Sequence, residues 1–101
     1  MNTANLQIEG LLMAIASINK TLVSKGILTT DEIEKALATS EQLVVGDDRA
    51  VEDLSPANRD AIAFPIRLLR LANSAEADEA SSFSQLARLV GETKDRYNDQ
   101  L

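Results

Sequence analysis

Cysteine, histidine and tryptophan are all missing from this chain. Without cysteine there is no disulfide framework, no thiolate nucleophile and no Cys-ligated zinc. Without histidine the commonest general base near neutral pH and the commonest metal ligand are gone. Aromatic residues make up only 3% of the sequence, so a core must be built from Leu, Ile, Val and Ala, which suits helices packed on helices. The four glycines stand apart from one another, which excludes a phosphate-cradling Gly-rich loop. Basic residues are the minority: ten Lys and Arg stand against sixteen Asp and Glu, for a formal charge of −6. Phosphate contacts need a surplus of Lys and Arg, so this balance opposes both nucleic acid and anionic membrane surfaces. The expectation is a non-enzyme with no catalytic residues, no metal, no cofactor, no nucleic-acid partner and no membrane partner.

Long hydrophobic runs are lacking too. Leu11–Ile18 is the strongest, and it falls short of the ~20 residues that span a bilayer. Ahead of it, Met1–Gly10 carries only Glu9, where a signal peptide would carry basic residues. A cytoplasmic location is expected. A length of 101 residues fits one domain, 1–101. A chain of this size buries roughly two thirds of its unfolded surface, enough for a core without covalent staples.

What is present is helical periodicity. The first helix is expected over about residues 4–25, with Ile8, Leu11, Leu12, Ile15, Ile18, Leu22 and Val23 on one face at steps of three and four. Leu6 and Met13 fall on its polar side and Asn19 falls within its apolar face. These three are candidate interface residues, Asn19 because a buried polar residue can fix register between helices. Gly26 suits the left-handed residue that closes a helix. Thr29 and Glu32, three apart, form a capping box, with Leu28 and Ile33 placed for a hydrophobic staple. They open a second helix over about 30–44 that buries Ile33, Ala36, Leu37, Leu43 and Val44 and turns Glu34, Lys35, Glu41 and Gln42 to solvent. The short link makes the pair an antiparallel hairpin.

Leu22–Leu37 resembles a hairpin that recurs in many bacterial proteins, among them the N-terminal domain of type II secretion and type IV pilus ATPases. Related hairpins there bind cyclic di-GMP. The Arg-Leu-Gly opening of the nucleotide-binding form falls here on Ser17, Ile18 and Asn19, and its closing Gln on Ser40. The resemblance therefore implies the helical hairpin and not the nucleotide contacts.

Residues 46–54 read as a loop in which Asp47, Asp48, Glu52 and Asp53 cluster. Their spacing does not match an EF-hand, so a solvated acidic loop is expected rather than a metal site. Ser55 and Pro56, as N-cap and first helical residue, open a third helix over about 56–73. Ala61–Ala72 is apolar around most of its circumference, so this helix must be surrounded by others. Pro65 lies within it, removing the bond to the Ala61 carbonyl, and a kink is expected there. Residues 74–82 read as a linker, and a capping box of Ser82 and Gln85 opens a fourth helix over about 83–97, with Phe83, Leu86, Ala87, Val90 and Tyr97 on one face. The tail from Asn98 is expected to fray. The fold class is thus an all-α bundle of about four helices, the third central and kinked.

The narrow polar stripe of the third helix holds Asp60, Arg67 and Arg70. Two guanidinium groups one turn apart suit a carboxylate or phosphate of a ligand or partner, or structural pairing with Asp60, Glu76, Asp78 or Glu79. Two functions remain. One is a helical protein–protein interaction or regulatory module that self-associates, most simply as a homodimer, or binds an unknown protein, because the first and third helices carry more apolar surface than the others cover. The other is a small domain that holds an anionic metabolite or nucleotide through Arg67 and Arg70.

Overall fold

The computed structural model describes residues 3–46, 56–74 and 83–98. Four helices make up the fold, in the order α1 (Thr3–Ser24), α2 (Thr30–Val45), α3 (Pro56–Asn73) and α4 (Phe83–Asn98), with no strand among the described residues.

Local chemistry sets the turn between α1 and α2. Gly26 takes a φ of +74°, the left-handed position that side chains with a Cβ avoid. There the Gly26 amide donates to the Val23 carbonyl and the Ile27 amide to the Leu22 carbonyl, the paired bonds of a Schellman motif. Three residues later the capping box closes: the Glu32 amide donates to the Thr29 hydroxyl at 3.0 Å, and the Thr29 amide to the Glu32 carboxylate at 2.8 Å. Asp31 and Glu32 sit in the first turn of α2, against the positive end of its dipole.

The third helix is the hub, packing on α2, α4 and α1. Its Ala63 and Leu68 are fully buried, and Leu68, Leu69 and Ala72 join Leu12 and Ala16 of α1 with Leu86 and Val90 of α4 in one cluster. Phe64 and Phe83 meet edge to face with ring centroids 6.4 Å apart, tying α3 to α4. α3 runs as one helix through Pro65. Thr30 meets Asn73, Glu34 meets Arg70 and Glu41 meets Arg67, so α2 and α3 lie antiparallel.

Three burial expectations need correction. In α1, Met13 packs against the core, whereas Ile8, Leu11 and Ile18 are largely exposed. α3 meets α1 along Leu12 and Ala16, at the edge of the apolar arc, so the arc's other half stays outside. In α2, Ala36 and Leu43 are exposed, while Glu34 and Glu41 are half-buried toward α3. The two guanidinium groups of α3 hold Glu34 and Glu41 of α2 inward, while Ala36 and Leu43 turn out and Ile33 stays buried. Finally, α1 and α2 are neighbours in sequence but barely touch, each packing on α3 instead. The hairpin is splayed.

The acidic cluster Asp47, Asp48, Glu52 and Asp53 lies outside the described residues. So do the Ser55 and Ser82 caps, Glu76, Asp78 and Glu79, the linker at 75–82, the Tyr97 side chain and the tail beyond Asn98.

Candidate functional site

The first candidate is the polar stripe of α3. Arg67 donates from Nε to Glu41 Oε2 at 3.2 Å and from Nη1 to Asp60 Oδ1 at 3.4 Å. Arg70, one turn on, donates from Nε and Nη2 to Glu34 Oε1 at 2.8 and 2.5 Å, and from Nη1 to Glu41 Oε1 at 2.9 Å. Glu41 is the keystone: each of its oxygens takes one arginine, and its side chain is only 14% exposed. The Glu34 hydrogen bond is the main cause holding the Arg70 guanidinium above its ordinary pKa, with burial opposing and Glu41 reinforcing. Among the described residues three carboxylates surround the two guanidiniums, an excess of one negative charge. An anion approaching Arg67 and Arg70 meets bound carboxylates rather than open donors.

The sequence reading placed Asp60, Arg67 and Arg70 together, and the structure brings them together. It missed Glu34 and Glu41, which looked like the wet side of an amphipathic helix. The signal was there in part: Glu34 and Glu41 are two turns apart, so they share a stripe and can face a neighbour as a pair.

The second candidate is the splayed side of the hairpin. Between α1 and α2 lies an open cleft of about 480 Å³, lined by Ile15 and Asn19 of α1, Leu28 of the turn and Ile33, Ala36 and Leu37 of α2, with Glu32 and Lys35 also on its wall. Beside it Ile8, Leu11 and Ile18 are 47%, 60% and 58% exposed. Leu43, two turns beyond Ala36 on the same stripe of α2, is exposed as well.

Leu6, Met13 and Asn19 do not share one surface. Leu6 is half exposed near the start of α1, Met13 packs inward, and Asn19 stands in the cleft wall. Among the described residues no group of three or more acidic side chains is arranged to hold a metal ion. α1 has a further property that the Leu11–Ile18 run alone did not show. Its 22 residues are long and apolar enough to cross a membrane, a test that core helices and signal sequences also pass.

Comparison with protein-family models, with curated proteins and with solved structures gives no match.

Proposed function

We propose that this chain is a non-enzymatic helical interaction module that works by self-association through the outer side of α1. One observation carries the reading. A helix of 22 residues leaves Ile8, Leu11 and Ile18 about half or more exposed while only Leu12 and Ala16 are buried. Exposed aliphatic residues scattered singly are ordinary, but contiguous ones beside an apolar cleft mark an interaction surface. Burying the exposed half of each such side chain is worth roughly 1 kcal/mol, so covering several at once supplies a driving force.

The ligand-binding alternative rests on open guanidinium groups. Arg67 and Arg70 each contact two carboxylates, so their geometry supports a strut between α2 and α3.

Light scattering coupled to size exclusion tests the reading on wild type and on Leu11→Glu/Ile18→Glu. The expected result is a wild-type dimer and a doubly substituted monomer of unchanged helicity. A wild-type monomer across the micromolar range would overturn self-association.

A further inference from the structure

The exposed residues of α1 follow a stricter order than exposure alone requires. Ile8, Leu11, Ile15, Ile18 and Leu22 are spaced three, four, three and four, which is the a and d pattern of a heptad repeat sustained over two full heptads. This is a different stripe from the one that α3 covers. Leu12 and Ala16 are buried against α3, whereas Ile8, Leu11 and Ile18 are exposed and Ile15 and Leu22 are half-buried. α1 thus carries two seams, one used inside the fold and one largely unused, of which Ile15 is partly packed against the core. A repeat of this period is complementary to another helix, whose side chains must fall into the holes it leaves.

We infer that the unused seam pairs with α1 of a second copy, whose helix lies along Ile8–Leu22 and reaches into the cleft between α1 and α2. The inference rests on the self-association proposed above and specifies its geometry.

Charge permits a second copy as the occupant. Two chains of net charge −6 repel on approach, except where they present neutral surface. The seam is such a place. Gln7, Ala14 and Thr21 flank it on one side and Asn5 and Asn19 on the other, while the only charges of α1, Glu9 and Lys20, lie off it. No charged pair meets or clashes across this face, so the repulsion between two copies is long-range and is weakened by salt.

Area favours use of the cleft. A helix of 22 residues is about 33 Å long and about 10 Å across, a strip of roughly 330 Å². A lasting interface buries ~800 Å² on each side. The strip alone falls short, and Leu28, Ala36 and Leu43 on the α2 side extend it.

A lipid surface is the competing occupant for an apolar helix of this length. Its anionic forms would repel the chain.

The absence of cysteine makes the test clean. Leu11→Cys and Ile18→Cys are made singly, oxidised alone and as a mixture, with Ser17→Cys, exposed on another side of α1, as the collision control. Cross-linking of Leu11→Cys to itself, or of Leu11→Cys to Ile18→Cys, several-fold above the control is expected. The first marks a parallel and the second an antiparallel pair, and either supports the inference. A wild-type dimer by mass whose seam cysteines cross-link no better than Ser17→Cys would overturn the α1 pairing and leave self-association standing on another face. A wild-type monomer would overturn both. A monomer that floats with phosphatidylcholine vesicles, and loses flotation in Leu11→Glu/Ile18→Glu, would assign the seam to lipid instead.

Discussion

Between α2 and α3, five charged side chains interlock and each guanidinium reaches two carboxylates. Along the outer side of α1, by contrast, a row of aliphatic side chains stands about half exposed beside an apolar cleft. The first surface is charged and closed, the second apolar and open. Ordinary expectation assigns charge to recognition and apolarity to the core. Here the contacts reverse that assignment: the arginines serve the fold, and most of the aliphatic row stays at the surface. What separates the two is whether each group finds its counterpart inside one chain.

The largest change comes from breaking the hub that both surfaces depend on. Leu68 is fully buried where α3 gathers the other helices, so Leu68→Ala should cost about 3 kcal/mol. Urea denaturation should show a lowered midpoint.

The closed surface is broken next. Glu41→Ala removes an acceptor from each arginine at once and leaves two partly buried guanidiniums under-compensated. A loss of about 2 kcal/mol is expected, and about half that for Glu34→Ala, whose site is more exposed. The sign of any pH dependence follows from Arg70. Its raised folded pKa makes its contribution full below the ordinary arginine value and lost only as pH rises past the folded one. Neutral and mildly alkaline solutions should therefore give the same Glu41→Ala penalty by urea titration. A penalty that vanishes at mildly alkaline pH would show that the network is not what holds α2 to α3.

How much of this was legible beforehand divides along the same line. Thr29–Glu32 and Gly26 are local devices, set by a few adjacent residues, and the structure has both where the sequence put them. Gly26→Ala should cost about 1 kcal/mol by calorimetry, because the positive φ strains any residue with a Cβ. The central place of α3 was legible as well, since a helix apolar on most sides has to be surrounded. The facing of α1 and α2 was not. Periodicity gives the centre of an apolar arc, but the docking line is set by the partner. α3 met α1 at Leu12 and Ala16, and it drew Glu34 and Glu41 of α2 to its arginines, which left Ile18 and Leu43 outside. Rotational setting is a pairwise property, and one helix's sequence holds only half of it.

The smallest effect on the single chain is expected at the open surface, and that is where the comparison is most sharply tested. Leu11 is 60% exposed, so Leu11→Ser should shift the stability of a dilute sample by no more than ~0.5 kcal/mol. Concentration changes the expectation. A folded dimer is favoured over unfolded chains by mass action, so the wild-type midpoint should climb as protein is added. Leu11→Ser, with its seam interrupted, should melt at one temperature throughout. Leu68→Ala is the opposite control, lowering the midpoint at every concentration. If wild type and Leu11→Ser melt together at all concentrations, the open row is ordinary surface, and the contrast with the closed charged seam carries no functional meaning.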